Sequence, residues 1–134
     1  MHIPVFGNGD VNSPEKAKAM RDDYGLDGAM IGRGTIGNPW FFNQVKHYLN
    51  TGKKIEEPTI AERAEMAIRH LKMAIDWKGN VLGVLETRRH YGNYFKGIAN
   101  FKETKSRILR ENDPAIILQE LELVKKVFFE KELV

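Results

Sequence analysis

Two short glycine segments are the part of this sequence best suited to binding chemistry. Residues 7–10 read Gly-Asn-Gly-Asp, and residues 32–34 read Gly-Arg-Gly. Glycine lets the backbone approach a ligand closely, so that its N–H groups can bind phosphate oxygens, and Arg33 adds a charged fork of donors. Neither segment matches the dinucleotide-binding or the Walker signature. Each segment taken alone can also be a simple tight turn, but the pair predicts a phosphate site.

Apolar runs and helix signals around the two glycine segments predict how the segments meet. Residues 3–6 (Ile-Pro-Val-Phe) and 29–31 (Ala-Met-Ile) each precede a glycine segment and predict strands. Between them, Ser13 before Pro14 is a typical helix start, and Gly25 is a typical helix end. The order predicts a βαβ unit with both glycine segments at the carboxyl ends of neighbouring parallel strands. Strands this apolar are normally covered on both faces.

The rest of the chain carries helical patterns. A short helix is predicted over residues 39–49, and a polar linker over residues 51–58. Thr59 with Glu62 forms a capping box that opens a helix reaching residue 77, where the sequence Lys-Gly-Asn breaks it. Further helices are predicted over about 81–95, about 101–109, and from Pro114 onward. The expected fold is an α/β part over residues 1–50 followed by an all-α bundle over residues 59–134, mainly α overall.

Apolar side chains recur at three- and four-residue steps along the predicted helices and indicate their buried faces. Trp40, Phe41 and Phe42 are expected to anchor the short helix rather than to stack on a ligand. The predicted core of the bundle contains Ile60, Ala64, Ala67, Ile68, Leu71, Ile75, Trp77, Leu82, Leu85, Tyr94, Ile117, Leu121, Val124 and Phe128.

Positive charge is concentrated in residues 88–110, the basic segment, which contains seven Lys or Arg residues and a single acidic residue. Aromatic residues are interleaved with these cations, a combination typical of nucleic-acid binding. For any single side chain, a solvated helix face is the alternative, and His90 fits a phosphate contact and a buried histidine equally well. The candidate nucleic-acid contacts are Arg88, Arg89, Lys96, Lys102, Lys105 and Arg107.

Composition narrows the remaining functional classes. The chain has 134 residues, 42% of them hydrophobic and 29% charged, and a formal net charge of +3. It contains no cysteine, which excludes a disulfide, a thiolate metal site and a cysteine nucleophile within it. His2, His47 and His70 lack metal-ligand spacing, so no metal site is predicted. No apolar run reaches the roughly 18 residues of a membrane span, and no signal peptide pattern opens the chain, so a cytoplasmic location is expected.

The glycine segments and their surroundings resemble one specific family. Residues 3–10, 27–34 and 37–42, the last reading Gly-Asn-Pro-Trp-Phe-Phe, are similar to the C-terminal part of the flavin-dependent tRNA-dihydrouridine synthases. Residues 88–91 (Arg-Arg-His-Tyr) and 94–97 (Tyr-Phe-Lys-Gly) resemble the helical domain of that family. The resemblance covers nearly the whole chain.

The resemblance implies a fold, a cofactor and a substrate. In that family a (β/α)8 TIM barrel binds FMN, NADPH serves as reductant, a D-loop uridine of tRNA is reduced to dihydrouridine, and a helical domain grips the tRNA. By resemblance, Asn8 and Gly9 contact the FMN phosphate from one turn, and Gly32 and Arg33 from a second.

The same resemblance implies what residues 1–50 lack. They resemble the last two βα units of the barrel, and the catalytic cysteine of the family lies earlier in it. This chain is therefore expected to hold no catalytic residue, to be inactive alone, to bind FMN negligibly, and to self-associate through exposed barrel strands. Two alternatives remain: a free-standing helical RNA-binding module, and a flavin barrel that acts on a small molecule.

Overall fold

The computed structural model describes the backbone of residues 3–132 and the side chains of residues 3–129. His2, considered above as a metal ligand, lies outside the described residues. The chain divides into two compact units, Met1–Glu57 and Pro58–Val134. The first unit contains two short parallel strands and helices, and the second contains helices throughout its described part, which confirms an α/β part followed by a helical part.

The first unit is a small βαβ arrangement with an additional helix. Its elements are β1 (Phe6–Asn8), α1 (Pro14–Tyr24), β2 (Gly28–Met30), a 3₁₀ turn (Arg33–Thr35) and α2 (Phe41–Thr51). Strands β1 and β2 pair in parallel, with Phe6 opposite Gly28 and Asn8 opposite Met30.

The position of β1 corrects the predicted strand at residues 3–6. The strand begins at Phe6 and includes Gly7 and Asn8, so the first glycine segment forms part of the strand rather than following it. Close packing explains why the glycine lies inside: a Cβ on Gly7 would stand 2.2 Å from Cδ1 of Leu26. Before the strand, the backbone amide of Asp27 donates a hydrogen bond to the carbonyl oxygen of Val5 at 2.8 Å.

Helix α1 begins and ends where the local signals predict. The Ser13 hydroxyl accepts a hydrogen bond from the Lys16 amide at 3.2 Å, and Pro14 occupies the first helical position. Gly25 closes the helix with a φ of 64°, a left-handed conformation that glycine adopts without strain.

The core of the first unit lies between α1, α2 and the strands. Val11, Ala17, Phe41 and Val45 are buried, with partly buried apolar side chains packed against them. Phe41 therefore anchors α2 as predicted, whereas Phe42 is 49% exposed. The apolar side chains of the strand region remain open to solvent: Ile3, Val5, Phe6 and Met30 are all more than half exposed.

The second unit is built from a long broken helix and two shorter ones. They are α3 (Ile60–Tyr94), α4 (Lys102–Arg110) and α5 (Pro114–Glu132). The Thr59 hydroxyl accepts from the Glu62 amide at 3.1 Å, as the capping box predicts. Gly79 has a non-helical backbone, with φ 87° and ψ 173°, and divides α3 into a first arm (residues 60–78) and a second arm (residues 80–94). The predicted break is confirmed.

The two arms of α3 fold against each other and against α5. A Cβ on Gly83 would lie 2.8 Å from backbone atoms of Ile75, so the arms touch backbone to backbone there. The buried core of this unit includes Ala64, Ala67, Ile68, Leu71, Val84, Tyr91, Tyr94, Ile108, Ile117, Leu121 and Val124. Among residues 3–132, no helix is both long and apolar enough to cross a bilayer.

Three residues predicted to be in the core of the bundle are exposed instead. Trp77 is 83% exposed, Leu82 53% and Leu85 48%. Trp77 and Leu82 flank the break at Gly79, and the buried residues of each arm lie on a different helical face from these three. The prediction for these residues was wrong because apolar spacing alone does not show which stripe the neighbouring helix covers.

Candidate phosphate cleft and basic helical surface

The two glycine segments meet in one cleft of about 720 Å³. The parallel pairing of Asn8 with Met30 brings the ends of both strands to one edge, from which the segments continue. All four predicted phosphate contacts, Asn8, Gly9, Gly32 and Arg33, line this cleft together with Asp10, Val11, Asn12, Met30 and Gly34. The structure therefore assembles the predicted set, although the sequence shows only that each member follows a strand.

The glycines of the cleft serve two different purposes. A Cβ on Gly34 would lie 2.6 Å from the Val11 carbonyl oxygen, so this position needs glycine for packing. Among the described residues, no heavy atom lies within 4 Å of a Cβ placed on Gly32, and a Cβ on Gly9 would meet only the Met20 side chain at 3.7 Å. No close contact within residues 3–129 requires glycine at these two positions, whereas the backbone of Gly32, with φ −109° and ψ −94°, lies outside the regions that other residues favour.

An ion pair joins the two glycine segments across the cleft. Nη2 of Arg33 donates a hydrogen bond to Oδ1 of Asp10, and both side chains are largely exposed. Asp10 has a φ of 45°, in the left-handed region that aspartate tolerates better than most residues. Sequence reasoning missed this contact of Asp10: the sequence suggests that Asp10 orients the glycine turn or caps the following loop, not that it binds the arginine of the second segment.

The residues of the cleft include groups of the kinds that bind phosphate in proteins. Gly9, Gly32 and Arg33 line one volume, and backbone amides and guanidinium groups are the kinds of donor that phosphate oxygens accept from. A guanidinium has several N–H donors in a planar fork, so the bond to Asp10 does not exhaust its capacity for phosphate oxygens.

The residues of the basic segment differ in their surroundings. Arg88 is half-buried: its Nη2 donates to the Glu111 carbonyl at 2.9 Å and to Oδ1 of Asn112, and its Nε is buried without a described partner. Arg88 thus connects α3 to the segment before α5. Arg107 is exposed and pairs with Glu120 at 3.5 Å.

The remaining candidate contacts lie at the surface of the helical unit. Arg89, Lys96 and Lys102 are exposed, and Lys105 is partly exposed. The Lys105 ammonium lies 3.8 Å from the position of a Cβ on Gly92, one helical turn after Arg89. The structure therefore brings Arg89 and Lys105, which belong to different helices, to neighbouring positions.

A cluster of three rings, His70, His90 and Tyr94, links the two arms of α3. The imidazole centroids of His70 and His90 are 4.4 Å apart, and Nδ1 of His70 shares a hydrogen bond with the Tyr94 hydroxyl at 3.0 Å. Burial, with smaller contributions from His70 and Arg89, lowers the pKa of His90 to about 4. Burial and Arg89 also lower the pKa of His70, and burial raises the pKa of Tyr94 to about 12. His90 and Tyr94 are neighbours on the second arm, and the break at Gly79 allows that arm to bring them to His70.

The comparison with protein families covers nearly the whole chain. The family described as dihydrouridine synthase matches residues 1–129, which includes both glycine segments and most of the helical unit. The chain belongs to the dihydrouridine synthase family. The resemblance carried by the glycine segments and the basic segment is confirmed.

Individual members of the dihydrouridine synthase family show the same similarity. A probable tRNA-dihydrouridine synthase of Rickettsia conorii is 37% identical over 119 residues, which cover 89% of this chain and 36% of the relative. A tRNA-dihydrouridine synthase B of Pseudomonas putida is 41% identical over 105 residues, which cover 78% of this chain and 31% of the relative. A tRNA-dihydrouridine synthase B of Shewanella oneidensis is 44% identical over 92 residues, which cover 69% of this chain and 29% of the relative. The chain spans about a third of the length of these relatives.

Proposed function

We propose that this chain supplies a flavin-phosphate site and a tRNA-binding surface to a tRNA-dihydrouridine synthase. The observation that carries the proposal is the cleft in which both glycine segments meet around Arg33. The names of the relatives support tRNA as the substrate and the reduction of uridine as the reaction. Bound FMN, reduced by NADPH, supplies the hydride for that reduction.

The first role of the chain is to hold the phosphate of FMN. Asn8 and Gly9 offer backbone donors from the end of β1, and Gly32 and Arg33 offer donors from the loop after β2. The open space around Gly32 leaves its backbone accessible, and Arg33 contributes the positive charge that a phosphate needs. These groups contact only the phosphate end of the cofactor, so the affinity of this chain for FMN is expected to be too weak to survive gel filtration.

A comparison of FMN with riboflavin tests this role, because the two ligands differ only in the phosphate. We expect millimolar FMN to shift the amide NMR signals of Gly9 and Gly32, and riboflavin to leave them unchanged. Arg33→Ala should reduce the FMN shifts. Arg21→Ala, which removes another exposed arginine of the same unit, should not. Equal shifts with riboflavin, or an unchanged response of Arg33→Ala, would argue against a phosphate site.

The second role of the chain is to bind tRNA through the helical unit. Arg89, Lys102 and Lys105 present positive charge at the surface, and such contacts position an RNA without reading its sequence. Arg88 and Arg107 already bind groups of the protein, so their contribution to tRNA binding is expected to be smaller. Lys96 lies just after α3, and its side chain is also exposed.

A tRNA titration at two salt concentrations tests the second role. Affinity should fall as salt rises, because each phosphate contact releases counterions. The triple charge reversal of Arg89, Lys102 and Lys105 to Glu should weaken binding strongly. The same reversal at Lys46, Lys53 and Lys126, which are also exposed, changes the net charge equally and serves as the control. If both triple variants lost the same tRNA affinity, the loss would reflect net charge alone and would contradict a specific surface.

The division of the chain favours a second candidate function. Pro58–Val134 forms a compact unit with its own core, as an independent RNA-binding module would. The flavin-phosphate role distinguishes the two candidates: an RNA-binding module alone predicts no phosphate-specific response at Gly9 and Gly32. A flavin barrel that acts on a small molecule predicts that response, and predicts no effect of the basic-segment reversals on tRNA affinity.

A further inference from the structure

The histidine cluster (His70, His90 and Tyr94) lies between the two arms of α3, with the Tyr94 side chain buried. His70 comes from the first arm, and His90 and Tyr94 come from the second. Both imidazoles are partly exposed, and their ring centroids are 4.4 Å apart. A histidine pair of this kind can bind an anion, bind a metal or simply pack.

The charged groups around the cluster favour an anion. Arg89 contacts the cluster directly: its Nε donates a hydrogen bond to Nε2 of His90 at 3.5 Å. The Glu86 carboxylate lies one helical turn before His90, and its Oε2 accepts a hydrogen bond from Nζ of Lys78 at 2.6 Å. Arg69 is adjacent to His70 in sequence and adds a further cation. No group of three or more His, Cys, Asp or Glu side chains suited to a metal ion occurs in the described part of the chain.

The contact between Arg89 and His90 indicates what an arriving anion would do. A neutral imidazole nitrogen at 3.5 Å is a weak acceptor for a guanidinium, and a phosphate oxygen is a much stronger one. A phosphate that takes over the Arg89 donors leaves Nε2 of His90 without that donor. A proton taken from solvent at Nε2 would then allow His90 to donate to the same phosphate.

We propose that His70, His90 and Arg89 form a binding site for an RNA phosphate that takes up a proton when the phosphate arrives. The proposal rests on the proposed tRNA-binding function and adds to it a specific, proton-linked contact. His70 helps by holding its ring against His90 through its bond to Tyr94, which fixes the orientation of the pair. Burial is the main cause that disfavours the protonated imidazoles in the free protein, and Arg89 adds to it; the negative charge of the phosphate offsets the contribution of Arg89.

Proton uptake on binding has a defined consequence for affinity. When the complex holds more protons than the free partners, affinity rises as pH falls, by at most about tenfold per pH unit for one proton. In the free protein the pKa of His90 is about 4, so His90 itself is uncharged over the window from pH 8 to 5.5.

The test is a titration of the full chain with tRNA at constant ionic strength between pH 8 and pH 5.5. We expect the affinity of the unmodified chain to rise roughly threefold or more over this window. His90→Gln and His70→Gln should flatten the rise and lose more affinity at pH 5.5 than at pH 8. His47→Gln removes a histidine from the other unit and should keep the full rise. A rise that survives His90→Gln, or no rise in the unmodified chain, would overturn the proposal.

A second measurement needs no variant and remains decisive if His90→Gln fails to fold. NMR titration of the imidazole Cε1–H signals gives the pKa of His90 with and without a short RNA. The pKa should increase when the RNA is bound, and an unchanged value would overturn the proposal. Absence of tRNA binding at every pH and salt concentration would instead refute the proposed tRNA-binding function itself.

Discussion

Arg33 and Asp10 form an ion pair in which Nη2 of the guanidinium donates to Oδ1 of the carboxylate, across 23 residues of sequence. This pair joins the two glycine segments, so the cleft is held by a side-chain contact in addition to the pairing of β1 with β2. Both side chains are largely exposed, and the contribution of such a pair to stability is small because water and salt screen it.

The first prediction concerns that ion pair. Asp10→Asn should lower the free energy of unfolding by about 1 kcal/mol or less, because exposed pairs rarely contribute more. Urea denaturation at low and high salt measures it, with Asp23→Asn, another exposed aspartate of this unit, as the control. A loss well above that of the control, and insensitive to salt, would contradict a screened surface pair.

The second prediction concerns the contact between the arms of α3. Gly83→Ala should destabilise the protein by about 1–3 kcal/mol, because the new Cβ would collide with the backbone of Ile75, which cannot move independently. Gly92→Ala is the matched control: the nearest atom to its new Cβ is the flexible end of Lys105 at 3.8 Å. Since alanine favours helix, the control should be neutral or stabilise by up to about 1 kcal/mol. Similar losses in both variants would contradict the close approach at Gly83.

The third prediction is a decline of stability in mild acid. In the unfolded chain a histidine takes up its proton near pH 6.5, whereas in the folded chain the pKa of His90 is about 4 and that of His70 is also lowered. Between these values the unfolded state holds more protons, so the free energy of unfolding falls as pH falls from about 6.5 toward 4. Urea denaturation at several pH values measures the decline.

Variants assign that decline to the histidine cluster. His90→Gln should make the stability less dependent on pH between 6.5 and 4, and His47→Gln should leave the dependence as it is. A pH dependence that is the same in both variants would assign the decline to groups outside the cluster.

The fourth prediction concerns catalysis. The chain with added FMN, NADPH and tRNA should form no dihydrouridine, because it contains no cysteine and, by family resemblance, the catalytic residue of these enzymes is a cysteine. Mass spectrometry of the digested tRNA measures the product. Formation of dihydrouridine above a heat-denatured control would show that another residue of this chain takes the role that the resemblance assigns to the cysteine.

The fifth prediction concerns the exposed strand region. Ile3, Val5 and Phe6 are 70%, 53% and 70% exposed, and apolar side chains beside a short open sheet favour association between copies. Sedimentation velocity should show oligomers that increase with concentration, and Ile3→Lys with Val5→Lys should reduce them. Phe42→Lys replaces an exposed apolar residue of α2 and serves as the control. A monomer at every concentration would contradict the prediction.

Local signals in the sequence account for most of the helical architecture. The cap at Ser13, the left-handed end at Gly25, the capping box at Thr59 and the break at Gly79 all lie where they were predicted. Each depends on interactions between residues a few positions apart, so the sequence by itself determines them. The sequence also indicates the family, because each glycine motif and each basic motif is a short continuous stretch of the chain.

The tertiary structure decided the features that depend on distant residues. Gly7 lies inside β1 with the Leu26 side chain packed closely against it, and Trp77 is 83% exposed although its apolar spacing predicts burial. The contact between His70 and His90 exists only because the arms fold back at Gly79. Apolar spacing and residue type indicate that a side chain seeks burial or a partner, but only the folded chain determines which partner it finds.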